Sequence, residues 1–237
     1  MSEKCIKFPN FYLNNIPSNS VNNIAMICTA SKGYENKYIN FIYSHYIYCK
    51  KYKYDYILFT KVTEKPKWEI IYKSNEILEK NSYETIIMID ADIFIQSTSP
   101  NLVSLLNECS IYIANGISQR PNSGLIMLRN DTHALMFLKR ILELQNPQKI
   151  ELKNRVTDKG ENGAVIQVLS HEYFDDKKFI LDYKWNNTIP GRECYFKHFT
   201  NYMKLHFQND NNEIYSKIKT DELYQHFIRW FNAPSSK

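Results

Sequence analysis

The chain has 237 residues, 43% hydrophobic and 23% charged, a balance that supports a sizeable buried core and excludes a disordered or low-complexity polymer. The formal net charge is +5, which fits a solvated basic surface, a site that receives diphosphates, or nucleic acid, and does not choose among them. Five widely spaced cysteines (Cys5, Cys28, Cys49, Cys109 and Cys194) with no C-x-x-C pair argue against a disulfide framework or a structural zinc site; no apolar run approaches the roughly 20 residues that span a bilayer and no secretory signal pattern opens the chain, so a soluble, cytoplasmic protein is expected.

Residues 1–22 are polar and Asn-rich, carry Pro9 and Pro17, and read as an irregular lead-in. Residues 24–28 form a short apolar run expected to be a buried strand. Across 37–53, Ile39, Ile42, Tyr46 and Cys49 recur at helical spacing, and 56–59 reads as a second strand. A helix follows Pro66, with Ile70, Ile71, Ser74, Ile77 and Leu78 on one stripe. Residues 85–89 are uninterruptedly apolar, the pattern of a strand buried on both faces. A short helix is expected over 101–107, and strands over 110–114 and 124–128. A helix from near Asp131 places Ala134, Phe137, Leu138, Ile141 and Leu142 on one face. Another covers 161–169, and 179–181 is a strand candidate. Residues 208–212 read as a polar loop. A last helix from about Asp221, capped by Thr220, is expected to bury Leu223, Phe227, Ile228 and Phe231. Strand and helix alternate through the first half, which argues for an α/β fold with a parallel sheet.

Asp90-Ala91-Asp92 follows directly on the most apolar of these strands. Ligands in open α/β sheets sit beyond the carboxyl ends of strands, and side chains two apart on extended backbone point the same way. Two ionised carboxylates against an apolar strand need a counter-charge. Hard oxygen ligands suit Mg²⁺ or Mn²⁺, which also bind diphosphate oxygens. Taken alone, a D-x-D is weak evidence, since most are surface turns or helix caps.

This segment, 86–92, resembles the D-x-D of glycosyltransferases with the A-type nucleotide-sugar fold (GT-A), and further segments agree in chain order. Together they resemble the retaining glycogenin-like and bacterial lipooligosaccharide galactosyltransferase-like families. Lys73 stands on the helix before the strand, where the family often has a basic residue that reaches the donor. Asn122-Ser123-Gly124 is similar to the family's Asn-Ala/Ser-Gly step into a strand, with Asn122 on a sugar hydroxyl and Gly124 allowing close approach. His198-Phe-Thr-Asn201-Tyr-Met-Lys204 is similar to a His-x-x-Gly-x-x-Lys in which the His is the third metal ligand and the Lys holds the diphosphate; Asn201 replaces the usual Gly, and His206 is an alternative ligand. Glu161-Asn162 stands where the family has an Asp-Gln pair near the transferred sugar, and both residues differ from it. Thr29, Ala30, Ser31 and Tyr34 fit the base-and-ribose loop. Trp185-Asn186 resembles a late element without an assigned role.

The resemblance implies a GT-A mixed sheet flanked by helices in one domain over 1–237, with a nucleotide-binding half at 23–115 and an acceptor-side half at 116–237. It implies a metal-dependent hexosyltransferase using Mn²⁺ or Mg²⁺ held by Asp90, Asp92 and His198, a nucleotide-diphosphate sugar donor with UDP favoured, and a carbohydrate, glycan or protein hydroxyl acceptor. Two rivals stand beside it. Lys50-Lys-Tyr-Lys-Tyr54 alternates cations and aromatics as a nucleic-acid-binding segment does, although its tyrosines equally suit a core. A sugar nucleotidyltransferase would open with a Gly-rich basic loop, which is missing after Ile27.

Overall fold

The structure, a computed structural model, describes residues 8–18, 20–31, 33–61, 65–155 and 160–233, without the side chains of Asn201 and Tyr202. Its strands are β1 (Phe11–Leu13), β2 (Ile24–Thr29), β3 (Asp55–Phe59), β4 (Thr85–Asp90), β5 (Ile93–Ile95), β6 (Ile111–Asn115), β7 (Pro121–Arg129), β8 (Lys178–Leu181) and β9 (Phe196–His198). Its helices are α1 (Tyr34–Lys37), α2 (Ile39–Tyr52), α3 (Pro66–Glu79), α4 (Thr132–Glu143), α5 (Asn162–Leu169), α6 (Phe207–Ile218) and α7 (Glu222–Asn232). Seven strands form one mixed sheet in the order β1-β3-β2-β4-β7-β6-β8. β7 alone runs against its neighbours. β5 and β9 form a small antiparallel pair.

The period-2 alternation of the strands divides the core into two layers. Met26, Cys28, Tyr56, Leu58, Ile87 and Ile89 face α2 and α7. Ala25, Ile27, Ile57, Ile86 and Met88 face α3, α4 and α5. Covering both faces is why the strands are apolar at consecutive positions. The expected stripe on α3 is buried throughout, Ser74 included.

Four local expectations are corrected. The lead-in contains β1, which pairs in parallel with β3 and is anchored by Phe11 against Tyr46, Tyr56, Phe227 and Trp230. The short helix over 101–107 is a 3-10 turn, Leu102–Leu105, started by the Asn101 side chain accepting from Val103 N–H. Residues 208–212 are helical, inside α6; that helix turns only Phe207, Ile214 and Ile218 toward the core, too sparse a stripe to stand out among polar residues. α7 is capped by Asp221 and not Thr220. The Asp221 carboxylate accepts from Leu223 N–H at 2.8 Å and Tyr224 N–H at 3.3 Å, and its charge is favourable at a helix N-terminus.

No helix among the described residues is long and apolar enough to cross a membrane.

Candidate metal centre

Registry brings the site together at one edge of the sheet. Thr29 at the end of β2 pairs with Asp90 at the end of β4. Because β7 runs the other way, Leu125 opposes Ile89, and Asn122-Ser123-Gly124 arrive beside Asp90 from the opposite direction. The chain then turns through Ala91 and Asp92 into β5, where Ile93 pairs with His198 of β9. Phe199 N–H closes the pair by donating to the Asp92 carbonyl at 2.8 Å.

The other edge of β5 is held by side chains of α2. Ile95 N–H donates to Ser44 Oγ at 3.0 Å, and His45 Nε2–H donates to the Ile93 carbonyl at 2.6 Å. A carbonyl only accepts, so His45 Nδ1 carries the lone pair and accepts from Tyr56 O–H at 3.0 Å. Burial pushes His45 down to about 4, against the pull of the Ile93 carbonyl and the Asp92 charge, and the ring is neutral.

Asp90, Asp92 and His198 each offer one ligand atom, and these atoms lie within 4.8 Å of one another. His198 Nε2 is 3.2 Å from Asp92 Oδ1 and 3.7 Å from Asp90 Oδ2. The His198 side chain is 4% exposed and that of Asp90 38%, so the cluster opens on the Asp90 side. Burial and then the Asp92 and Glu161 charges raise the Asp90 carboxyl well above the usual carboxylate range. For His198, burial opposes the charged form, but the charge and hydrogen bond of Asp92 and the charge of Asp90 outweigh it, and its pKa is raised.

The ring of His198 is oriented from behind. Asn186 Nδ2 donates to both oxygens of Asn122, at 2.9 Å to Oδ1 and 3.2 Å to the carbonyl. The Asn186 amide oxygen therefore faces His198 Nδ1, at 2.9 Å, and Nδ1 is the protonated nitrogen. In the neutral imidazole Nε2 then points its lone pair at the two carboxylates. Asn122 Oδ1 also accepts from Gly124 N–H at 3.0 Å. A Cβ on Gly124 would overlap the His198 ring, 2.6 Å from Nδ1. Two carboxylates and one imidazole with its free nitrogen turned inward fit a divalent cation.

A second layer adjoins this cluster. Ser123 Oγ donates to Glu161 Oε1 at 2.8 Å, and Asn162 Oδ1 accepts from Ser123 N–H at 2.8 Å. Burial raises the Glu161 carboxyl, with Ser123, Lys67 and His198 working the other way. Lys73 is directed elsewhere: its ammonium pairs with Glu76 at 3.1 Å and lies over the Phe59 ring at 5.3 Å. The basic residue on α3 whose charge reaches Asp90 and Glu161 is Lys67. Lys204 is exposed, and its charge acts on His198. Asn201 opens the 3-10 turn Asn201–Leu205, where Asn needs no left-handed backbone. His206 is exposed and is not part of the cluster.

Thr29, Ala30 and Ser31 lead from β2 into the turn before α1, where Gly33 adopts φ 89° and Tyr34 is 51% exposed. In the segment with alternating cations and aromatics, Tyr54 is buried and Tyr52 O–H donates to the Ser99 carbonyl at 2.8 Å. Tyr54 belongs to the core and Tyr52 packs against it. Asn186 and Lys67 are the site residues that sequence patterning did not single out with a role. Each enters through contacts across the fold, though the Trp-Asn pair was visible as an element of unknown use.

No protein-family model and no curated protein matches this sequence. Among solved structures the chain is similar to a glycosyltransferase involved in the glycosylation of the major capsid of PBCV-1. That match has a TM-score of 0.64 and 13% identity, covering 79% of this chain and 98% of that one. It is also similar to the glycosyltransferase GlyE of Streptococcus pneumoniae TIGR4, with a TM-score of 0.56 and 12% identity, and spans 91% of its own length and 64% of the GlyE chain. The chain thus has the fold of these glycosyltransferases, with the Asp90, Asp92 and His198 cluster at the carboxyl end of its central strand β4.

Proposed function

We propose that the protein is a metal-dependent glycosyltransferase that takes a hexose from a nucleotide-diphosphate sugar, UDP favoured, and passes it to a hydroxyl of a carbohydrate, glycan or protein. The observation that carries this reading is the Asp90, Asp92 and His198 cluster at a strand end, in a fold shared with glycosyltransferases. These three residues would hold Mn²⁺ or Mg²⁺, and the cation, when bound, supplies positive charge against a departing nucleoside diphosphate. Lys67, whose charge acts on Asp90 and Glu161, and Lys204, whose charge acts on His198, add positive charge to the cluster. The exposed Tyr34 ring offers a face on which a base stacks, beside Thr29, Ala30 and Ser31. Asn122 and Gly124 keep His198 in position.

Glu161 and Asn162 sit on the sugar side in this reading. Glu161, raised by burial and hydrogen-bonded by Ser123, is the carboxyl we propose to act on an oxocarbenium-like centre. Transfer is proposed to retain the anomeric configuration, as the resemblance of the motif set implies; an inverted product seen by NMR would overturn that part alone.

The direct test is thermal unfolding with UDP, GDP or CDP, with and without Mn²⁺, on wild type and Asp92→Asn. At about 100 times Kd a ligand adds about 2.7 kcal/mol of stability. The expected result is a Mn²⁺-dependent rise in Tm with one nucleotide, absent in Asp92→Asn. No rise with any nucleotide removes the transferase reading and leaves the fold.

A further inference from the structure

A pocket of about 300 Å³ opens beside the metal centre and shares a wall with it. It lies beyond Asn115 of β6 and Leu181 of β8, which run parallel to each other. Both strands run in the direction of β4, so the pocket is at the same sheet edge as Asp90. Asn186 is the shared wall: it lines the pocket and also bonds His198 Nδ1. The volume is at the small end of the range for ligand sites, enough for one substituted ring.

The lining is specific in its chemistry. Among the described residues no carboxylate lines the pocket, whereas Arg192 does. The Arg192 guanidinium lies 5.3 Å over the Tyr183 ring, and among the described residues no acid pairs with it. Its neighbour Glu193 faces Lys184 at 3.9 Å. The Tyr183 ring is 37% exposed, a flat face next to an exposed cation. Asn115 buries its side-chain oxygen with no hydrogen-bond partner, a cost that a ligand hydroxyl donor removes. Gln119 is held at φ 58°, a conformation that a residue with a Cβ adopts at a cost and that clusters at ligand sites.

We propose that this pocket is the acceptor subsite and that it takes an acidic sugar, its carboxylate or phosphate held by Arg192 and its ring laid against Tyr183. Guanidinium matches either anion in a bidentate fork, and an aromatic face with amide donors and acceptors suits a sugar ring. The proposal rests on the transferase reading above, because it makes the wall residue Asn186 the divider between donor and acceptor.

The experiment follows saturation-transfer NMR of three probes on the full chain in EDTA: methyl glucuronide, glucose 6-phosphate and methyl glucoside. Wild type is compared with Arg192→Gln, whose folding is checked by its Tm. The charged probes are expected to bind about tenfold more tightly than the glucoside, with that preference abolished in Arg192→Gln. Whichever charged probe is stronger identifies the anion as carboxylate or phosphate. Equal binding of the three, a preference that survives Arg192→Gln, or no binding of either charged probe overturns the proposal. The nucleotide melting experiment separates the two readings. A Mn²⁺-dependent nucleotide shift with failed probes sinks the acidic acceptor alone. No nucleotide shift sinks the transferase reading and the acceptor assignment with it, whatever the probes do.

Discussion

At the scale of single residues, Gly124 is required by the ring behind it. The His198 imidazole occupies the space where a Cβ would be, so Gly124→Ala must push the ring out of line with Asp90 and Asp92. Overpacking of this kind costs about 1–3 kcal/mol, and displaced support of a ligand weakens metal affinity by about 10–100-fold. The expected outcome for Gly124→Ala is a lower Tm in the absence of ligands, with the Mn²⁺-dependent nucleotide shift needing correspondingly more metal. A variant with wild-type metal dependence would show that His198 is not a ligand. The Asn-Ser-Gly step was legible in the sequence as a turn into a strand and as a resemblance. The reason for its Gly was not, because the atom it must avoid comes from a residue 74 positions later (198 − 124). Lys73 and Lys67 differ in the same way. They lie on one helix six positions apart, and only packing shows that Lys73 turns to Glu76 and Phe59 while the charge of Lys67 reaches the carboxylates.

At the scale of elements, the centre depends on two three-residue strands. Neither β5 nor β9 is long enough to carry a readable period, and their pairing is what sets His198 opposite Ile93. His45 holds β5 to α2 as a neutral ring, and this predicts a pH effect. Its pKa is about 4 folded against 6.5 unfolded. Between those values the unfolded chain binds the extra proton, so stability is full above about 6.5 and falls as pH drops toward about 4. The gap is worth about 3 kcal/mol. The raised Asp90 and Glu161 carboxyls act with the opposite sign, since protonation relieves them, so the His45 share is read as a difference. Chemical denaturation of wild type and His45→Gln across pH 4–7 is expected to show a shallower acid loss in the variant by about that amount. Parallel profiles would show that His45 charges without cost.

At the scale of the whole molecule, the two ends of the described chain meet on one aromatic cluster. Phe227 of α7 packs edge-on to Phe8 and Phe11 and lies against Tyr43 and Tyr46 of α2. It is fully buried. Phe227→Ala is expected to cost about 3–5 kcal/mol, measured by urea denaturation, while the Mn²⁺-dependent nucleotide shift persists in the fraction that stays folded. Loss of that shift in a folded variant would mean that the cluster shapes the donor site as well. The sequence by itself determined the α/β class, most of the elements of the main sheet and its helices, and Asp90 and Asp92 as a pair, because apolar runs, helical spacing and adjacent carboxylates are local and each leaves a period or a step in the chain. The tertiary structure alone decided the reversal of β7, the pairing of β5 with β9, the support of His198 by Asn186 and the pocket at Arg192. Those depend on which distant segments share a hydrogen bond or a wall, and hydrogen bonds across tens of residues leave no spacing to read.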